Sequence, residues 1–135
     1  MASRQYLKVT VMHYKNPSKT DEEFEEHFCK NINPQWTEII KKHGFLKYSV
    51  TFCPEKVSEA ALIFEELRPG WTVLRSHAAL TYLVPDFQYI NALATDPEYL
   101  SVAKSLEAGW IDSSRGEIVL GYEKVLFDDT KVSDA

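Results

Sequence analysis

The sequence predicts an α+β fold in which two main helices cover one face of a four-stranded antiparallel sheet. Two observations support this class. Four segments alternate apolar and polar side chains as strands do, and two longer segments repeat apolar side chains at helical spacing. The segments follow one another in the order β, α, β, β, α, β, which is typical of a split βαβ arrangement.

The composition is that of an ordinary globular domain. Of the 135 residues, 44% are hydrophobic and 26% are charged, which is enough apolar material for one hydrophobic core. We therefore expect a single domain over residues 1–135. Its ordered core should run from 6 to 127, and the polar tail at 128–135 should be frayed.

Charge and motif content exclude several classes of function. The net charge is −5 and the longest basic run is the pair Lys41-Lys42, so we expect no nucleic acid partner. Because there is neither a signal peptide nor an apolar stretch of membrane-spanning length, we expect a cytoplasmic protein with no membrane partner. Neither Cys29 and Cys53 nor the four histidines have metal-site spacing, so we expect no metal and no cofactor.

The first predicted strand, residues 6–15, has two unlike faces. One face carries Leu7, Val9, Val11 and His13. The other face carries Lys8, Thr10, Met12 and Tyr14. The second face either meets solvent or lines a polar, ligand-sized cavity. His13 is either a core histidine or lies near the exposed end of the strand.

The first predicted helix begins at Thr20, where Glu23 completes a capping box. Pro34 interrupts its apolar stripe, so we expect a kink or two segments, with an end at His43-Gly44. The stripe either belongs to the core or forms the aromatic wall of a pocket. It consists of Phe24, Phe28, Ile32, Trp36, Ile39 and Ile40.

The remaining elements follow in order, with a short helix between the second and third strands that starts at Ser58 and stops before Arg68. Strands are predicted at 45–52, 76–84 and 117–127, and helices at 87–95 and 98–108. This is the ferredoxin-like pattern with extra short helices. Since no further helix is left to cover the second face of the sheet, we expect a homodimer through sheet-to-sheet packing, which gives a dimeric α/β barrel.

Two sequence segments, LVPDFQYINALATDPEYL and WIDSSRGEIVLGYEKV, resemble the EthD-domain family of the dimeric α/β barrel superfamily. The resemblance covers roughly Tyr6 to Phe127, and the run Asp96 to Tyr99 is its most specific part. It implies the barrel fold. Fungal members of the family look like cofactor-free decarboxylases and dehydratases, so the resemblance also implies a lyase that acts on an aromatic polyketide in secondary-metabolite biosynthesis.

This sequence departs from the family pattern at two positions. Many members have a histidine just before the proline of the first helix, where this chain has Asn33-Pro34. Many begin the third strand with aspartate, where this chain has His77. That position is similar to a strand histidine that serves as acid or base in a plant polyketide cyclase with the same barrel, so the resemblance favours chemistry at His77.

We predict one apolar chamber under the kinked first helix, with His77 as general acid or base and Tyr14 or Tyr48 as hydrogen-bond donor to a substrate oxygen. Alternatively, His77 is a surface histidine at a strand start. The alternative function is a hydrophobic-ligand-binding barrel or a small monooxygenase, for which His27 is the one candidate haem ligand. The predicted substrate-binding residues are Lys8, Thr10, Phe24, Phe28, Trp36, Tyr48, Thr81 and Tyr99.

Overall fold

A computed structural model describes residues 5–130. Its four strands form one antiparallel sheet in the order β2-β3-β1-β4. The strands are β1 (Leu7–His13), β2 (Lys47–Phe52), β3 (Ala78–Val84) and β4 (Glu117–Tyr122). The central position of β1 and β3 and the antiparallel pairing confirm the predicted α+β, ferredoxin-like fold.

The helices within the described residues are α1 (Asp21–His27), α2 (Asn33–Lys42), α3 (Glu55–Ala60), α4 (Ile63–Leu67), α5 (Phe87–Ala94) and α6 (Pro97–Glu107). Of these, α1 and α2 form the first helical unit, α5 and α6 form the second, and α3 and α4 are a short pair between β2 and β3. A π-helical turn, Phe28–Ile32, joins α1 to α2. This turn is where the sequence predicted a kink, and Pro34 lies in the first turn of α2, where its missing N–H is not needed.

Both ends of the first helical unit match the prediction. The Glu23 amide donates to the Thr20 hydroxyl at 3.1 Å, and the Thr20 amide donates to Glu23 Oε1 at 2.9 Å, which completes the capping box. Gly44 follows α2 with a φ of 76°, the left-handed conformation that ends a helix at low steric cost in glycine.

Two segments differ from the prediction. The 55–70 segment forms α3 and α4 instead of one helix from Ser58, because Pro54 provides an extended N-cap from which α3 starts at once. Strand β4 ends at Tyr122, not at Phe127. Tyr122 pairs with Leu7, the first residue of β1, so the residues after Tyr122 have no strand partner. Leu126 and Phe127 are consequently 86% and 84% exposed. Of the predicted frayed tail, residues 131–135 lie outside the described part of the chain.

The core lies between the helices and one face of the sheet. That face presents Val9 from β1 and Leu80 and Val84 from β3, all almost fully buried against Phe24 and Phe28. Because alternate strand residues point to opposite faces, His13 lies on this helical face, and Tyr14 and His77 do not.

The other face of the sheet is open over its middle. Thr10 pairs with Thr81 across β1 and β3, with the hydroxyl oxygens 3.5 Å apart and both side chains half-buried. A hollow beside them is lined by Lys8, Thr10, Val119 and residues 121–123, with no helical residue at its wall. No helix within residues 5–130 is long and apolar enough to cross a membrane.

Candidate active site

An apolar cavity of about 270 Å³ lies between the helices and the helical face of the sheet. Strands β1, β3 and β4 form its floor, and the π-helical turn, α2, α5 and α6 form its walls. Because most of the lining is aliphatic or aromatic, the few polar side chains in it are the ones that can orient a ligand. The lining includes Val9, Val11, His13, Phe28, Ile32, Trp36, Leu80, Tyr82, Ile90, Leu93, Tyr99, Leu106, Glu107, Ile111 and Ile118.

Three aromatic side chains shape one part of this cavity. The Trp36 indole N–H donates to the Tyr82 hydroxyl oxygen at 2.8 Å, and this bond is buried. The Tyr99 ring lies 4.8 Å from the Trp36 ring, centroid to centroid, at a tilt of 49°. Since the Tyr82 oxygen accepts from Trp36, the Tyr82 hydroxyl keeps its own proton to donate to a ligand oxygen.

His13 and Glu107 bring acid–base chemistry into the same apolar space. Burial lowers the pKa of the His13 imidazole below its ordinary value of 6.5. Burial also raises the pKa of the Glu107 carboxyl above its ordinary value of 4.5. A neutral imidazole and a carboxyl that holds its proton more strongly can act as base and acid, and two pKa values pushed in opposite directions are a common mark of such a pair.

The cavity opens at the end where this pair lies. A second hollow, of about 250 Å³, shares Val11, His13, Glu107 and Ile118 with the cavity. Ile118, on the edge strand β4, is 55% exposed. The imidazole and the carboxyl therefore lie where the two hollows meet.

His77 lies outside the cavity, in a polar cleft at the end of the sheet. Its Nδ1 accepts the Lys15 backbone N–H at 3.1 Å, so the neutral ring carries its proton on Nε2. Burial, followed by the Lys15 and Arg115 cations, lowers the pKa of His77. In this arrangement the imidazole offers the cleft a hydrogen-bond donor and no free basic nitrogen.

Tyr14 lines the same cleft as His77, and its hydroxyl is already engaged. It donates to the two Glu117 carboxylate oxygens at 2.7 and 2.9 Å. This hydrogen bond, together with burial, raises the pKa of Tyr14. The expected donor to a substrate oxygen is thus held by a carboxylate of β4.

The expectation of one chamber for all predicted site residues is wrong, because the sheet lies between them. Phe28, Trp36 and Tyr99 line the apolar cavity, whereas Lys8, Thr10 and Thr81 lie on the open face. Phe24 lines a third hollow together with His77, and Tyr48 packs beside the apolar cavity. Phe24 contacts Phe28 and Phe52, while Tyr48 stacks on Tyr82 at 5.3 Å and donates to Asn33 Oδ1 at 2.6 Å.

Sequence reasoning missed Glu107 and Tyr82, and it gave His13 no chemical role. Signals for all three are nevertheless present. His13 alternates with the apolar residues of β1, and Tyr82 alternates with Leu80 and Val84 in β3. Glu107 lies four residues after buried Ala103 on α6, which is the helical spacing for one face.

The Asp96–Tyr99 run builds one wall of the cavity. Asp96 caps α6 by accepting the Glu98 amide at 2.9 Å, and its Oδ2 lies 2.7 Å from His43 Nε2 at the end of α2. Pro97 then begins α6, and Tyr99 follows in its first turn beside Trp36. The run therefore fixes α6 against α2 and places a cavity residue.

The structure offers no arrangement for a metal ion within residues 5–130, because no group of three or more His, Cys, Asp or Glu side chains converges there. His27, the candidate haem ligand, is used elsewhere. Its ring stacks on Trp110 at 4.0 Å, with Nε2 3.2 Å from the Leu106 carbonyl oxygen. His27 Nδ1 lies 2.9 Å from Asn31 Nδ2, so both ring nitrogens have polar neighbours.

Comparison with known proteins places this geometry in a family. The EthD domain model matches residues 16–114. A dehydratase of Pestalotiopsis fici, iacD, is 30% identical over 135 residues, which cover 99% of this chain and 97% of that protein. A putative oxygenase of Aspergillus terreus is 23% identical over 131 residues, covering 96% of this chain and 81% of that protein.

Two solved structures share the fold. SnoaB, a cofactor-independent oxygenase from Streptomyces nogalater, superposes with a TM-score of 0.55 at 13% identity, covering 92% of this chain and 99% of that chain. A dimeric protein of unknown function with a ferredoxin-like fold, from Bacteroides fragilis, gives a TM-score of 0.50 at 15% identity, covering 87% and 96%. The strand order, the matched model and the near full-length relative together show that this chain is a member of the EthD domain family.

Proposed function

We propose that this protein is a cofactor-free lyase that removes water from a hydroxylated ring of an aromatic polyketide. The observation that carries the proposal is the shared location of His13 and Glu107, whose pKa values move in opposite directions in one apolar cavity. The name of the relative from Pestalotiopsis fici, a dehydratase, supports elimination of water over other acid–base reactions.

The elimination needs a base, an acid and a donor for an enolate oxygen. His13 takes a proton from the carbon next to a ring carbonyl, and the electron pair forms an enolate whose oxygen accepts a hydrogen bond from Tyr82 or Tyr99. The enolate then collapses to a carbon–carbon double bond. The hydroxyl on the next carbon leaves as water with the proton of Glu107, and solvent returns both residues to their starting protonation states.

The apolar wall contributes to this chemistry in two ways. Its aromatic side chains offer flat surfaces to a planar ring system, which orients the reacting carbon. Exclusion of water strengthens the hydrogen bond to the enolate oxygen, because the local dielectric is low. The volume of about 270 Å³ suits a compact substrate of one or two fused rings.

Product mass tests the reaction. The purified protein is incubated with a panel of hydroxylated polyketide acids that are not yet aromatic, and the products are analysed by mass spectrometry. We expect loss of water. Loss of carbon dioxide would replace dehydration with decarboxylation, which uses the same acid–base groups.

A pair of histidine variants tests the site. We expect His13→Gln to slow turnover by roughly 10²- to 10⁴-fold, the usual share of one acid–base group. The prediction that His77 is the acid or base stays a prediction, and His77→Gln is the matched control for it. If His77→Gln abolishes turnover while His13→Gln does not, the reaction takes place in the polar cleft. Circular dichroism checks that both variants fold.

A second candidate function is oxygenation without a cofactor. The putative oxygenase from Aspergillus terreus matches 96% of this chain, so similarity to known proteins alone does not separate the two reactions. An oxygen electrode separates them. Oxygen consumption with the same panel of substrates, absent from a His13→Gln control, would favour oxygenation, whereas dehydration proceeds unchanged under nitrogen.

We further propose that two copies pair through the open face of the sheet. On this face, Thr10 and Thr81 are only half-buried and Val119 is 60% exposed. A sheet with one uncovered face containing apolar residues gains stability when a second copy covers it. The pairing would leave the apolar cavity, on the other side of the sheet, accessible to substrate.

A further inference from the structure

The mouth of the cavity has one cationic side chain that the proposed reaction does not use. Arg115 lines the hollow that shares His13 and Glu107 with the cavity, and it also borders the polar cleft that contains His77. Its guanidinium carbon lies over the Tyr14 ring, 3.9 Å from the ring centroid, a cation–π contact that helps to hold the side chain in place. The Tyr14 ring covers one side of the guanidinium, and a guanidinium has five N–H donors in its plane, enough for an anion in addition to the Tyr14 contact.

The acidic groups close to Arg115 in the sequence have other partners. Glu117 accepts the Tyr14 hydroxyl on both carboxylate oxygens. Asp112 Oδ1 accepts the Ser114 amide at 3.1 Å and the Ser114 hydroxyl at 2.6 Å. Among the described residues, none of the ion pairs includes Arg115. An exposed arginine held in place by stacking, without a carboxylate of its own, is suited to a charged ligand.

A short turn places this guanidinium at the hollow. The Arg115 amide donates to the Asp112 carbonyl at 3.2 Å, and Gly116 leads directly into β4. The isolated bridge between Lys15 and Ile111 ties the start of the turn to the end of β1, close to His13. Arg115 therefore has a defined position relative to the cavity mouth.

We propose that Arg115 binds the carboxylate of an aromatic acid whose rings occupy the apolar cavity. This inference rests on the proposed function, because it takes the cavity as the substrate site, and it specifies the substrate class as an anionic polyketide acid. Bidentate hydrogen bonds from a guanidinium fit a carboxylate, and they add orientation as well as affinity. The carboxylate would then lie at the mouth, and the reacting ring would lie beside His13 and Glu107.

The test uses two probe ligands that differ in charge but hardly in shape. Naphthoate carries the carboxylate, and naphthamide replaces it with a neutral amide. Their dissociation constants for the full chain are measured by isothermal titration calorimetry at neutral pH. We expect wild type to bind naphthoate more tightly, and Arg115→Gln to weaken naphthoate binding by roughly 10- to 100-fold, the range of a charge-assisted hydrogen-bonded pair.

Three controls make the outcome specific. Naphthamide binding should change little in Arg115→Gln, and Arg115→Lys should recover part of the naphthoate affinity. Arg75→Gln is the matched variant, because Arg75 lines the polar cleft with His77 but not the hollow with His13. Increasing salt should weaken naphthoate binding in wild type and have little effect in Arg115→Gln, which a purely structural role of Arg115 would not produce.

The possible results separate this inference from the proposed function. If both ligands bind and Arg115→Gln leaves naphthoate affinity unchanged, the carboxylate site is wrong and the cavity remains a ligand site. If Arg75→Gln weakens naphthoate binding, with or without an effect of Arg115→Gln, the acid binds in the polar cleft, which both arginines line, and this inference is overturned. If neither ligand binds wild type, the inference and the cavity as substrate site both fail.

Discussion

At the scale of single residues, the protonation states of His13 and Glu107 decide when the proposed reaction proceeds. His13 acts as base only when neutral, and its pKa lies below the ordinary 6.5 because the ring is buried. The rate should therefore rise as pH increases through the His13 pKa, which lies below 6.5. Glu107 acts as acid only when protonated, so the rate should fall as pH rises through a pKa above 4.5.

Measurement of kcat/KM against pH tests both assignments. We expect wild type to show both limbs, His13→Gln to lose the acidic limb, and Glu107→Gln to lose the alkaline limb along with most of the rate. Glu98→Gln, on the exposed side of the same helix, is the matched control and should keep the wild-type profile. An alkaline limb that persists in Glu107→Gln would show that another group supplies the proton.

The buried hydrogen bond between Trp36 and Tyr82 allows a prediction about stability. Tyr82→Phe leaves the Trp36 indole N–H buried without its acceptor, which should cost about 1–3 kcal/mol of unfolding free energy. Trp36→Phe combined with Tyr82→Phe should lose less than the sum of the two single changes, because both polar partners are then absent. Urea unfolding measures all three, and strict additivity would show that the bond contributes little.

At the scale of elements, local sequence rules predicted the helix boundaries well. The capping box at Thr20, the end of α2 at Gly44 and the start of α6 at Asp96-Pro97 depend on side chains next to the boundary, so they can be identified in the sequence. The site was not predictable in this way. In the β1–β3 ladder His13 pairs with Ala78, the residue after His77, so the two imidazoles lie on opposite faces of the sheet. Which of them reaches the cavity depends on the strand register and on which face the helices cover, and local sequence rules give neither.

The contact between α2 and α6 gives a prediction at this scale. Hydrogen bonding to His43, followed by the Glu98 amide, lowers the pKa of Asp96 below its ordinary value of 3.8. A carboxyl with a lowered folded-state pKa stabilises the fold above that ordinary value, and the contribution disappears as pH falls through the folded-state pKa.

Asp96→Asn keeps a capping oxygen but loses the charge beside His43, and Asp96→Ala loses both. We expect both variants to lower Tm at neutral pH, with the larger fall in Asp96→Ala. The difference between wild type and Asp96→Asn should vanish at pH values well below 3.8. Thermal unfolding followed by circular dichroism at neutral and acidic pH measures this, and a difference that is independent of pH would contradict the role of the charge.

At the scale of the whole molecule, the sheet has one face covered by helices and one face that is open over its middle. The helical face provides the core and the cavity, while the open face combines polar Thr10 and Thr81 with exposed Val119. The sequence predicted the uncovered face from the number of helices alone, since two main helices cover only one side of four strands. It combined side chains from both faces in one site, because alternation groups the residues of each strand by face but does not say which face the helices cover.

The proposed pairing through the open face predicts that a charge at its centre separates the copies. Thr81→Glu places a carboxylate between two sheets, where it loses water and meets the same charge of the second copy if the pair is symmetric. We expect wild type to run as a dimer in size-exclusion chromatography with light scattering, and Thr81→Glu to run as a monomer with an unchanged circular dichroism spectrum. Ser101→Glu adds the same charge on the exposed side of α6 and should remain dimeric. A dimeric Thr81→Glu variant would show that another surface forms the contact, and the exposed apolar residues after β4 would then be the next to test.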